Sequence, residues 1–113
     1  MKKLSGLVVL LLVMFVSLMS SAQAGEDRYV RVFNETGYTV EYIYLSHSSR
    51  SGWGTDRLGS KVLSSGYNIR VYPADGTQRC IYDLRAVLVD GRATEWREVN
   101  ICGGQHWTLY SRD

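Results

Sequence analysis

Turn-forming residues punctuate this chain at short intervals, and they leave no room for long helices. Asn34-Glu35-Thr36-Gly37 comes first, then the glycine-rich stretch SGWGTDRLG at 51–59, Ser65-Gly66, Asp75-Gly76, Asp90-Gly91 and Gly103-Gly104. Past the leader, no segment between these points carries a long apolar period of 3.6 residues. The segments are short and rich in Tyr, Val and Ile, the composition of pleated, half-buried strands. Alternation places them at 28–34, 38–46, a short piece at 61–63, then 67–73, 79–89, 93–102 and 106–111. Tyr67, Ile69 and Val71 fall on one face of their strand, with Asn68, Arg70 and Tyr72 on the other. Pro73 ends that strand or marks it as an edge. Six or seven short strands predict an all-β fold, a small antiparallel β-sandwich, with a small barrel as the alternative.

The chain begins Met1-Lys2-Lys3, runs apolar from Leu4 to Met19 and reaches Ala22-Gln23-Ala24. A charged start, an apolar middle and an A-x-A site define a secretory signal peptide, with cleavage expected after Ala24. The apolar run is shorter than the roughly 20 residues a spanning helix needs. The expected mature chain is one domain, residues 25–113, periplasmic or secreted, with no membrane span. Losing Lys2 and Lys3 turns the formal charge of +2 into zero. A neutral chain with scattered arginines gives no footprint for nucleic acid.

An exported domain this small has a limited core and gains from a staple. Its two cysteines, Cys80 and Cys102, predict one disulfide. A zinc site built from them with His47 and His106 has no supporting ligand spacing. Turn chemistry gives a second expectation. A three-residue loop after Val89 sets Val89 opposite Ala93, and that register carries Cys80 directly opposite Cys102. A two-residue loop would place them on opposite faces.

Candidate chemistry is sparse. His47 sits in "SHSS", but no nucleophile elbow accompanies it, so a small hydrolase is a remote reading. Asp75 and Asp90 precede glycines and read as turn formers. Asp83 and Arg85 are two apart on one strand face with Arg97 across the hairpin, which reads as a structural ion-pair ladder. Asn34-Glu35-Thr36 fits the glycosylation acceptor pattern at a turn. Flat amphipathic rings suit a sugar. Trp53 leads those candidates, with Tyr72 and Trp96 expected on outward faces. A calcium site would use Asp56 with a turn Asp. The structural alternative is a clasp. There Trp53 folds over the open end of the sandwich beside Leu58 and Leu63, and Asp56 accepts backbone N–H bonds.

The segments "NETGYTVEYIYLSHSS", "GWGTDRLG", "VLSSGYNIRVY" and "CIYDLRAVLVDGRATEWREVNIC" resemble a family of small exported bacterial proteins of unknown function. The family pattern joins N-x-[ST]-G, W-G-x-D-x-L-G, L-x-x-G and C-x-Y-D-[LI]-R, then D-G and a second Cys. The likeness runs from about Val30 to Cys102 and includes Trp53, Gly54, Asp56, Leu58 and Gly59. It departs at His47, where the family has Pro. Some members carry the label argininosuccinate lyase. A lyase of that kind is several times longer, helical and built round a Gly-Ser-Ser loop absent here. The resemblance implies a β-sandwich in the cell envelope and no activity. The expectation is therefore a non-enzymatic binding module without a cofactor or metal, whose partner is a protein or another envelope component. A carbohydrate- or calcium-binding module using loop 51–59 is the alternative.

Overall fold

A computed structural model describes residues 27–111. The leader and cleavage site expected at 1–24 lie outside the described residues. Six strands follow in order: β1 (Val30–Glu35), β2 (Val40–His47), β3 (Asn68–Val71), β4 (Ile81–Leu88), β5 (Ala93–Asn100) and β6 (Gln105–Tyr110). They form two three-stranded sheets, ordered β3-β1-β6 and β2-β4-β5, a sandwich rather than a barrel. Every pairing is antiparallel except β1 with β6, which is parallel. The piece expected at 61–63 reduces to one bridge between Leu63 and Val40. β3 stops at Val71 on a sheet edge, two residues before Pro73.

Alternation decides the core. Val30 and Val32 of β1, Ile43 and Leu45 of β2, Tyr82 and Leu84 of β4, Val71 and Leu109 point between the sheets and are buried. Each large side chain so buried contributes roughly 1.5–3 kcal/mol. Loop residues Leu58 and Leu63 join the same cluster. Cys80 and Cys102 form the expected disulfide, with Cα atoms 5.2 Å apart.

The expected register is corrected. The β4–β5 turn does hold three residues, but they are Val89-Asp90-Gly91, closed by the Leu88 N–H donating to the Arg92 carbonyl at 2.8 Å. Gly91 supplies the positive φ of 89° that this loop requires. The ladder then slips between Tyr82 and Leu84, because Arg97 and Glu98 together face the one residue Asp83. Glu98 adopts a φ of 56° there. Past this bulge Cys80 faces Ile101, whose N–H it accepts at 2.9 Å. The disulfide thus runs diagonally, just beyond the ladder.

The glycosylation expectation fails as well. Asn34 is fully buried. Its Nδ2 donates to the carbonyls of Tyr38 at 2.7 Å and Leu63 at 2.9 Å. Its Oδ1 accepts from the N–H and hydroxyl of Thr36. Asn34 and Thr36 are a satisfied buried knot that ties β1 to the loop before β3, and the amide is closed to modification in the fold.

Candidate functional site

Loop 51–59 answers to the edge of β2. As an outer strand, β2 presents unpaired backbone groups that must be covered. Asp56 Oδ1 accepts the Ile43 N–H at 2.9 Å and the Leu58 N–H at 3.1 Å. The Arg57 N–H donates back to the Ile43 carbonyl at 2.7 Å, and the Ser46 hydroxyl donates to the Gly52 carbonyl at 3.0 Å. Leu58 then drops into the core. The clasp is real, but its working parts are Asp56, Arg57 and Leu58.

Trp53 does something else. It is half-buried and stays outside the core cluster, so it does not close the sandwich end as the clasp reading had it. It lies on the outer face of β2-β4-β5, tilted against Tyr44 with ring centroids 6.4 Å apart. The guanidinium carbons of Arg97 and Arg85 stand 5.0 and 5.8 Å from its ring centre. Register explains the meeting: Tyr44, Arg85 and Glu95 form one straight row across three strands. Tyr42 stacks on Tyr44 and extends the aromatic surface.

Carboxylates hold the two arginines. Arg85 pairs with Glu95, and Arg97 reaches Glu95 at 2.6 Å and Asp83 at 3.3 Å. The Arg97 guanidinium holds the Glu95 carboxyl below its usual range. Burial opposes this, and Arg85 reinforces the lowering. Asp83 is the least exposed of the set, its side chain 14% accessible. It also accepts the Glu98 N–H at 2.9 Å and the Ser48 hydroxyl at 3.0 Å, so it fixes the bulge.

The bulge also corrects Trp96. Buried Val99 and Ile101 point inward, and unbroken alternation from them would turn Trp96 outward. The extra residue reverses the phase, so Trp96 shares the inner face of Leu84. It remains 37% exposed because the sandwich is open between β5 and β6. There it meets Trp107 across a 6.4 Å centroid gap. A cavity of about 420 Å3 continues along this seam, lined by Ala86, Leu88, Thr94 and Leu109. Tyr72 is elsewhere again, on the outer face of β3-β1-β6 beside Tyr29. Of the residues singled out in sequence, the structure unites Trp53 with Arg85, Arg97 and Asp83, holds Asp56 on the edge of β2, and separates Trp96 and Tyr72. Tyr44 and Glu95 were missed, because only the true register reveals them as row-mates of Arg85.

Other polar clusters serve the fold. Asp75 accepts the Tyr82 hydroxyl together with the N–H and hydroxyl of Thr77. Burial works to raise the Asp75 carboxyl, but the Tyr82 and Thr77 bonds and the Arg28 charge outweigh it and hold the pKa at about 2. His47 Nδ1 sits 2.9 Å from Ser49 Oγ, while Asp83 engages the different serine Ser48. A base with no acid to orient it does not make a triad. His106 lies on the other sheet against Phe33. Among the described residues no three His, Cys, Asp or Glu side chains gather into a metal site. Asp56 Oδ1 serves two backbone N–H groups.

No protein-family model, curated protein or solved structure matches the chain.

Proposed function

We propose that the chain is a non-catalytic binding module of the bacterial envelope, exported to the periplasm or beyond. Its contact surface is the outer face of β2-β4-β5, and its partner is a protein. One observation carries this reading. Trp53 is held outside the core, half-exposed, over Tyr44, with two carboxylate-braced guanidinium groups against its ring. Trp, Tyr and Arg dominate the energetic centres of protein interfaces. A fixed cluster of them also loses little conformational freedom on binding. The leader and the disulfide fit an oxidising compartment. No nucleophile–base–orienter set among the described residues competes with a binding role.

Two substitutions in one loop test it. Leu58→Ala should cost about 2–4 kcal/mol of stability, as buried leucines do. Trp53→Ala should cost about 1 kcal/mol or less and abolish binding. A photo-crosslinker in place of Tyr42 should trap one discrete partner in intact cells, and Trp53→Ala should remove that product. A Trp53→Ala loss as large as that of Leu58→Ala, or a crosslink it leaves unchanged, would return Trp53 to a structural role.

A further inference from the structure

The opposite outer face carries a charge arrangement that stability does not explain. Val30 and Val32 point inward on β1, so Arg31 and Phe33 point out. Register then sets Arg70, Arg31 and His106 side by side, straight across β3, β1 and β6. Like charges directly opposite on a sheet are destabilising. Among the described residues neither Arg31 nor Arg70 pairs with a carboxylate; the ion pairs all involve Arg85, Arg92 and Arg97. The one acid that register places on this face is Glu35, four residues along β1 from Arg31, or roughly 13 Å away.

Both guanidinium groups are nonetheless positioned. Arg31 Nη1 donates to Asn68 Oδ1 at 2.7 Å. Arg70 stacks on the Tyr29 ring at 4.0 Å from its centre. Tyr29 in turn presses on Gly104, where a Cβ would collide with the ring. Tyr72 lies 6.4 Å from Tyr29 and is 46% exposed, and Phe33 packs edge-on against His106. Two braced cations therefore share this face with the exposed Tyr72 ring and the half-buried rings of Tyr29 and Phe33.

We infer that this face binds an acidic saccharide, a sugar ring bearing a carboxylate, with Arg31 and Arg70 on the carboxylate and Tyr72 under the ring. Two guanidinium forks match carboxylate oxygens and would be relieved of mutual repulsion by an anion between them. A flat amphipathic ring beside them suits a pyranose face. This site is on the other sheet from Trp53 and stands independently of the protein-contact reading.

Titration with trigalacturonate tests the inference, with its methyl-esterified form as the neutral control. Saturable binding should shift amide resonances on β1 and β3 and leave those on β2 in place. The ester should bind at least tenfold more weakly. Arg31→Gln with Arg70→Gln should weaken the acid form at least tenfold. Arg70→Lys, which keeps the charge but loses the fork, should give a smaller loss, and Trp53→Ala none. Unshifted resonances away from the site show that each variant is folded. No saturable binding, equal binding of acid and ester, or unchanged affinity in the double variant would each overturn the assignment. Equal competition by inorganic phosphate would reduce the site to a general anion contact and overturn the saccharide.

Discussion

On the outer face of β2-β4-β5 each arginine meets a carboxylate: Arg85 on Glu95, and Arg97 on both Glu95 and Asp83. On the outer face of β3-β1-β6, Arg31 and Arg70 stand opposite each other and lean on an amide and a phenol ring. The same residue type is neutralised on one side of the sandwich and left charged on the other. Exposed ion pairs each add little to stability. What the first face gains is order, since paired guanidinium groups hold Trp53 in one place. The second face accepts repulsion between Arg31 and Arg70, which the proposed anion would relieve.

Among the charged groups of the two faces, the largest effect should come from Asp83, where the first face is anchored. Its carboxylate holds the bulge N–H of Glu98, the Ser48 hydroxyl and Arg97 at once. Asp83→Ala should lower the unfolding free energy in urea by about 2 kcal/mol, the scale for losing hydrogen bonds to a charged acceptor. Asp83→Asn keeps one acceptor and should cost less. Arg85→Gln breaks a half-exposed pair and should change stability by about 0.5 kcal/mol. Equal losses for Asp83→Ala and Arg85→Gln would mean that the bulge stands without its acid.

That bulge also marks where sequence reading stopped. The six strands were legible because alternation and glycine turns are local signals, and the disulfide followed from compartment and count. Asp83 and Arg85 were legible as neighbours because residues two apart share a strand face, and Arg97 because the hairpin returns it across from them. The register was not legible. A non-glycine residue at positive φ, Glu98, leaves no mark in the sequence, yet it shifts the ladder by one and turns Trp96 inward. Trp53 stood out through its glycine neighbours, but its resting place depends on which residues of β4 and β5 form a row with Tyr44. The row Arg70–Arg31–His106 was hidden for a related reason, because the β1–β6 pairing is parallel and joins chain ends that no local pattern links.

Acid should act unevenly on the two sheets. Asp75, with its pKa held at about 2, is bonded to Tyr82 of β4, and the depressed carboxyl of Glu95 lies on β5. A carboxyl depressed in the fold contributes stability that is full above its unfolded value near 4 and fades as pH falls through the folded value. Unfolding free energy should therefore drop between about pH 4 and pH 2. The Asp75 share is no more than about 2 kcal/mol, because part of it is screened by solvent. Asp75→Asn should flatten that slope. Amide exchange at pH 2.5 should quicken in β5 before β1, which carries no carboxylate bonded to an arginine among the described residues. A uniform loss of protection would place the acid response outside these pairs.

The smallest effect discriminates most directly between the faces, because it is a difference in sign. A double-mutant cycle isolates the coupling between two side chains from their other contacts. For Arg85→Gln and Glu95→Gln the coupling should be favourable, about 0.5 kcal/mol in low salt. For Arg31→Gln and Arg70→Gln it should be unfavourable and of similar size, since the pair is cross-strand and of like charge. The Asn68 bond and the Tyr29 stack drop out of the second cycle, because each belongs to one arginine alone. Both couplings should shrink toward zero at 0.5 M salt, where screening extends over only a few ångströms. A saturating carboxylate ligand should then turn the Arg31–Arg70 coupling favourable, because the two cations come to share one anion. Repulsion that persists under saturating ligand would mean that the carboxylate does not sit between them.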